Sequence, residues 1–302
     1  MRLKRLTIGI SLFFIIITQC IHPVNAADTQ SLNIYSHAAL LINMNTGRVL
    51  YDRNSTEILY PASITKVMTA ILAIENADLN SIARVSYNAV MSVPFGYSTA
   101  NLQLDEELSV ENLLYVLMLP SACDAAVVLS EHVSLSEESF INLMNEKALE
   151  LGCTNTNFVN ASGVHDDNHY STARDLALIT EYAMKNPIFR TIVSTTTYTL
   201  PSTNKYPNRD RVFINTNRLI RLDNSSREDN YYYKHAIGVK TGMTDEAGET
   251  LSTVASQDGQ EYLVILLRAG YTGGLSERYL DSTTLFNFAF NTYTRKNYNQ
   301  SG

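Results

Sequence analysis

Two stretches with strand patterning lie at opposite ends of this chain and bracket almost everything helical. Ala38-Ala39-Leu40-Leu41-Ile42-Asn43, a turn over Met44 to Gly47, and Arg48-Val49-Leu50-Tyr51-Asp52 read as a hairpin. Ala236 to Lys240, Glu249 to Ser256 and Tyr262 to Arg268 read as three more strands, with a turn at Asp258-Gly259. From Asn76 to about Asn230 helical spacing prevails. Leu108, Val110, Leu113, Leu114, Leu117 and Met118 share one helix, and Asp124 to His132 forms a second. Phe140, Leu143, Met144, Ala148 and Leu151 mark a third, closed by Gly152, and a fourth opens at Ser171-Thr172 with Asp175 in its first turn. An irregular hairpin around Pro201 and Pro207 and a polar loop from Asp223 to Asn230 follow. A final amphipathic helix carries Tyr279, Leu285, Phe286, Ala289, Phe290 and Tyr293. Strands at both ends imply one antiparallel sheet built from both termini and flanked by helices, an α+β fold with a mostly helical insertion. The expected division is an α/β lobe over 27–75 and 231–302 and a helical lobe over 76–230, with the functional site in the cleft between them.

The hairpin leads directly into Tyr60-Pro61-Ala62-Ser63-Ile64-Thr65-Lys66-Val67-Met68-Thr69-Ala70. A proline fixes the backbone before the serine, and Val67, Met68, Ile71, Leu72 and Ile74 then recur at helical spacing. The pattern predicts a buried helix beginning at Ser63. Residues three apart share a helix face, so the Lys66 amine can sit over the Ser63 hydroxyl. A serine hydroxyl is a weak nucleophile until a neighbour takes its proton, and a buried lysine with a depressed pKa can do so. S-x-x-K also describes a capping serine followed by a solvated lysine. Here the lysine is embedded in apolar residues, where an unpaired charge is costly.

The chain has 302 residues, 45% of them hydrophobic, enough for a substantial core. Arg2, Lys4 and Arg5 precede an apolar run from Leu6 to Thr18, and Val24-Asn25-Ala26 supplies small residues where a peptidase cuts. Residues 1–26 therefore read as a secretory signal peptide. An uncleaved membrane anchor is the alternative, and lipidation at Cys20 is disfavoured by the bulky Gln19 before it. Removing the signal takes three basic and no acidic residues, so the formal charge falls from −7 to −10. An acidic surface argues against nucleic acid or anionic lipid as a partner. Cys123 and Cys153 remain, and two cysteines do not make a disulfide-stapled scaffold.

Two more short motifs accompany Ser63 and Lys66. Leu119-Pro120-Ser121-Ala122-Cys123-Asp124 falls at a helix junction, and Gly238-Val239-Lys240-Thr241-Gly242 ends a predicted strand. S-x-x-K, S-x-N and K-T-G in this order are the signature of penicillin-binding proteins and class A β-lactamases. With these motifs, Asn43 through Tyr51, Asn157-Phe158-Val159-Asn160, Tyr170 through Asp175 and Gly238 through Gly248, the chain resembles the serine-type D-alanyl-D-alanine carboxypeptidases. The resemblance covers nearly all of the mature chain. It extends to the catalytic domain alone, since the chain ends without the C-terminal β-domain and amphipathic helix that many members add.

The resemblance implies that Ser63 attacks the carbonyl between the two terminal D-alanines of a peptidoglycan stem peptide, with Lys66 as general base. It implies that Ser121 relays a proton to the leaving amine, and that Lys240 orients Ser121 and keeps the pocket positive. Thr241 would bind the terminal carboxylate beside Gly242, and the N–H groups of Ser63 and Met243 would form the oxyanion hole. Arg278 is a further carboxylate partner or a solvated helix charge. No cofactor and no metal are implied, and β-lactam antibiotics are expected as covalent inhibitors. Cys123 departs from the pattern, because the family usually has asparagine there to donate to the substrate; a thiol largely loses that bond. Cys123 reads either as a substrate contact or as a small buried side chain.

The alternatives are a DD-transpeptidase, a class A-like β-lactamase and a non-catalytic wall-binding protein. Glu138-Ser139-Phe140-Ile141-Asn142 has the letters of the β-lactamase deacylation motif but lies inside a predicted helix soon after Ser121. His165-Asp166-Asp167-Asn168-His169 resembles a metal cluster, yet neighbours in one loop rarely converge on an ion, and a polar loop is expected. Cys153 follows a helix-ending glycine and is expected to be buried and inert.

Overall fold

The computed structural model describes residues 32–222 and 230–293. The signal segment, Cys20 and most of the polar loop before Asn230 lie outside the described residues.

Strands β1 (Ala38–Asn43) and β2 (Arg48–Arg53) form the expected hairpin, its turn closed by Asn43, whose side-chain oxygen accepts from the N–H groups of Asn45 and Thr46. A 3-10 turn, Ala62–Thr65, precedes helix α1 (Lys66–Asn76). Next come β3 (Ile82–Arg84), α2 (Tyr87–Met91), β4 (Glu107–Ser109), α3 (Val110–Met118), α4 (Cys123–Ser134) and α5 (Glu137–Glu150). Helices α6 (Ala173–Met184) and α7 (Pro187–Ser194) are followed by the irregular hairpin, β5 (Thr197–Leu200) and β6 (Arg211–Ile214). The chain then returns to the sheet as β7 (Ala236–Thr244), β8 (Gly248–Gln257) and β9 (Gln260–Ala269), adds the short pair β10 (Tyr271–Thr272) and β11 (Leu275–Ser276), and ends in α8 (Glu277–Thr292). The helix starts are capped as their sequences direct: Ser109, Ser136, Thr172 and Asn186 each accept a hydrogen bond from a first-turn N–H.

All pairs in the five-stranded sheet are antiparallel, in the order β2-β1-β9-β8-β7, so strands from the two ends of the chain interleave. Both faces are covered. Ala38, Leu40 and Ile42 join a core with Ile64, Val67 and the helices α3 to α7, whereas Ala39 and Leu41 face a second core with Tyr279, Leu285, Phe286 and Ala289 of α8. This is why Tyr262 to Leu267 are fully buried and read as a continuous apolar run without alternation. The first core runs without a break from β1 through α7 to Val239 of β7.

Two local readings change. The helix expected to start at Ser63 starts at Lys66, because Ala62 takes a left-handed backbone (φ 47°) and the serine sits in a tighter 3-10 turn. The strand expected over Ala236 to Lys240 continues to Thr244, because β8 goes on pairing: Gly242 faces Thr250 and Met243 faces Glu249.

Candidate active site

Ser63 is held in its turn from two sides. Gly163, at φ 78°, lies so close beneath it that an added Cβ would stand 2.0 Å from the Ala62 carbonyl oxygen. On the other side is β7, an edge strand paired only with β8. A Cβ on Gly242 would meet Thr250 Oγ1 at 2.3 Å and the Ser63 backbone nitrogen at 2.8 Å. The glycine of K-T-G is therefore a requirement for close approach of strand and nucleophile. Thr250 Oγ1 also donates to the Pro61 carbonyl (3.1 Å), fastening β8 to the same turn. Ala62 and Ser121 (φ 69°) are both non-glycine residues in the left-handed region, a strain that persists only where surrounding structure enforces it.

Lys66 is fully buried, and its Nζ donates to Ser63 Oγ (3.0 Å), the Ser162 carbonyl (2.5 Å) and Cys123 Sγ (3.4 Å). The Ser162 carbonyl is presented by a loop closed by Asn160, whose side-chain oxygen accepts from Ser162 and Gly163 N–H (3.1 and 2.7 Å) and whose amide donates to Val164 O (2.8 Å). Thr69, one turn along α1, donates to Ala161 O (2.6 Å). Lys66 and Ser63 are thus set against one loop, 160–164, to which the sequence assigns no role. An N-x-S-G turn was its only signal.

Lys240 is also buried, and its Nζ donates to the Thr241 carbonyl (2.8 Å). Among the described residues no hydrogen bond is seen between it and Ser121. Burial, and then the charges of Lys66 and Arg278, push its amine well below the ordinary lysine value. A positive charge on Lys240 is therefore costly, since among the described residues no carboxylate pairs with it. Cys123 is 2% exposed yet lines the cleft, and its sulfur contacts Lys66.

The cleft has a volume of about 460 Å³ and brings together Ser63, Ser121, Cys123, Thr241, Gly242, Met243 and Arg278. Its far wall is the loop Phe95 to Ser98, with Phe95 fully exposed, and Thr216 lies opposite, its hydroxyl 2.6 Å from that of Thr241. Neither wall was legible in the sequence. Arg278 is not a solvated charge: it donates to Gly242 O (3.0 Å) and pairs with buried Glu249 (3.1 Å).

Glu138 is exposed on α5, away from the cleft lining, consistent with its reading as a surface helix residue. His169 is buried and structural, bonded to Thr65 Oγ1 (2.7 Å) and accepting from Val159 N–H (3.2 Å), and burial lowers its pKa to about 4. Among the described residues no group of His, Cys, Asp or Glu has the arrangement of a metal site. Cys153 is buried, its thiol pushed up to about 12 by burial and Asp175, and neither it nor Cys123 is in a disulfide.

Residues 24–270 match the family described as D-alanyl-D-alanine carboxypeptidase. The chain belongs to that family. D-alanyl-D-alanine carboxypeptidase DacF of Bacillus subtilis (strain 168) is 35% identical over 272 residues, which cover 88% of this chain and 64% of DacF. The chain thus spans just under two thirds of that relative. A D-alanyl-D-alanine carboxypeptidase of Streptomyces sp. (strain K15) is 34% identical over 260 residues, covering 82% of this chain and 85% of that one. The crystal structure of the Streptomyces K15 DD-transpeptidase aligns with a TM-score of 0.76 at 32% identity, over 86% of this chain and 98% of that one. The carboxypeptidase-family fold accounts for the interleaved sheet, with the nucleophile's turn against its β7 edge.

Proposed function

We propose that the protein is a serine-type D-alanyl-D-alanine carboxypeptidase that removes the terminal D-alanine from peptidoglycan stem peptides and is acylated by β-lactams. The observation that carries this reading is a fully buried lysine amine 3.0 Å from the hydroxyl of a cleft-lining serine. Ser63 Oγ attacks the scissile carbonyl while Lys66 takes the hydroxyl proton. The oxyanion meets the N–H groups of Ser63 and Met243. As the C–N bond breaks, Ser121 passes a proton to the departing D-alanine amine, and water then cleaves the ester and frees Ser63. Lys240, whose amine donates to the carbonyl of the adjacent Thr241, is the electrostatic partner of Ser121 in this step. The basic and apolar N-terminal segment supports action outside the cytoplasm, where the substrate lies.

Transfer of the acyl group to a peptide amine is a second reading. The Streptomyces K15 relative is called a carboxypeptidase in one comparison and a DD-transpeptidase in the other. An intact-mass time course with a penicillin tests the main reading: a persistent adduct on wild type and none on Ser63→Ala is expected. Rapid loss of adduct with drug hydrolysis would instead indicate a β-lactamase, and no adduct at all would favour a wall-binding protein. Adding an amine acceptor to a D-Ala-D-Ala peptide assay separates hydrolysis from transfer.

A further inference from the structure

The carboxylate end of the cleft holds a charge that is already answered. Arg278 faces the Glu249 carboxylate (3.1 Å), which is 2% exposed and also accepts from Ser276 Oγ (2.6 Å). Other Arg278 N–H groups point to Gly242 O (3.0 Å) and Thr250 O (3.4 Å). Lys240 bonds to Thr241 O, and burial makes its charge costly. Beside Arg278, whose charge is shared with Glu249, the cleft has two neutral donors at one point: Thr216 Oγ1 and Thr241 Oγ1, 2.6 Å apart.

Thr216 comes from outside the three motifs, and its backbone is fixed at both polar groups. Its N–H donates to Leu119 O (3.0 Å), in the segment that leads into Ser121, and its carbonyl accepts from Tyr279 OH (3.1 Å) on α8. The flanking Asn215 and Asn217 are buried, and Asn215 Nδ2 donates to Thr195 O (2.9 Å). A hydroxyl has one proton, so in a pair this close one oxygen donates and the other accepts.

We propose that Thr216 is a positioning residue for the carboxylate subsite: its hydroxyl donates to Thr241 Oγ1, so that the Thr241 proton is turned toward the terminal carboxylate of the substrate. The inference rests on the carboxypeptidase reading above. A donated bond also polarises the Thr241 hydroxyl and strengthens its own donation. Without Thr216, Thr241 would rotate among alternative acceptors and the subsite would lose selectivity for an anionic end.

The test compares a peptide ending in D-Ala-D-Ala with a free carboxylate against the same peptide ending in a carboxamide. Thr216→Val keeps the shape and removes the hydroxyl, and Thr216→Ala is a second variant without it. Expected is a rise in KM for the free-carboxylate peptide of about tenfold, the worth of one hydrogen bond to a charged group, with kcat little changed. Preference for carboxylate over carboxamide should fall by about the same factor, and Thr216→Ser should restore it. Unchanged preference in the hydroxyl-less variants, or equal loss on both peptides, overturns the proposal while leaving wild-type acylation, and so the carboxypeptidase reading, intact. A wild-type protein that neither takes up penicillin nor cleaves the peptide removes both.

Discussion

The two faces of the central sheet are built from the same strands but from different chemistry. Behind the sheet, Leu41, Tyr262, Val264 and Leu266 meet Tyr279, Leu285 and Phe286 of α8 in an apolar and aromatic layer. Its neighbouring buried charge, Asp281, accepts from the N–H groups of Tyr35 (3.0 Å) and Ser36 (2.7 Å) and from Ser36 Oγ (2.5 Å), so it is satisfied as a structural staple. In front, the sheet and helices bury Lys66, Lys240 and His169, and Lys240 donates to the Thr241 carbonyl. The back face stabilises the fold, and the front face spends part of that stability on amines kept away from water and counter-charge. Burial lowers the pKa of Lys240 and of His169, and such perturbed groups beside a cleft are where chemistry is expected.

The contrast sets an order of expected effects. Phe286→Ala, on the back face, should cost about 4 kcal/mol of stability in denaturant unfolding through loss of buried surface and an unfilled cavity. The rate of penicillin acylation per folded molecule should not change. A large change in that rate would mean that the two faces are coupled.

The next effect is the pH dependence contributed by His169. Its folded pKa, about 4, lies below the ordinary histidine value of 6.5, so the folded state binds fewer protons in that window. The stabilisation is fully present above pH 6.5 and is lost as pH falls from 6.5 to about 4, by up to ~3 kcal/mol. Burial pushes the Asp124 and Asp281 carboxyls up, so those groups act in the opposite direction on acidification. The difference between wild type and His169→Gln in unfolding experiments across this window therefore isolates the histidine. A difference that does not vary with pH breaks the assignment.

The smallest effect has the opposite sign. Lys240→Met removes a buried amine without a carboxylate partner and should raise stability by about 1–2 kcal/mol while penicillin acylation falls sharply. A thermal melt and the acylation time course check both halves. A destabilised variant would show that the Thr241 carbonyl bond outweighs the desolvation of the amine.

Much of the fold was readable because alternation, caps and turn residues act locally. The β1–β2 hairpin, α3 to α6, β7 to β9 and the terminal helix fall where period and capping placed them, except that Leu108 lies in β4 rather than in α3 and β7 runs on to Thr244. Helix α7 was overlooked although Asn186-Pro187 is a cap followed by proline at the first helical position. Ser63, Ser121, Cys123 and Thr241 line one cleft with buried Lys66 behind them, as their motifs implied. Thr216, Gly163, the Asn160 loop and Glu249 left no comparable mark. Each acts through a neighbour distant in sequence, and nothing in its local pattern names that neighbour.

By itself, then, the sequence determined the class of fold, the family and the pairing of Ser63 with Lys66, because these depend on periodicity and on short motifs whose residues lie within a few positions of one another. Tertiary structure decided that β7 passes close enough to Ser63 to require glycine, that Arg278 is paired with Glu249, that Lys240 bonds to its own strand, and that Thr216 meets Thr241. Those outcomes depend on which segments share a few ångströms of space, and that is settled by the packing of the whole chain around the sheet.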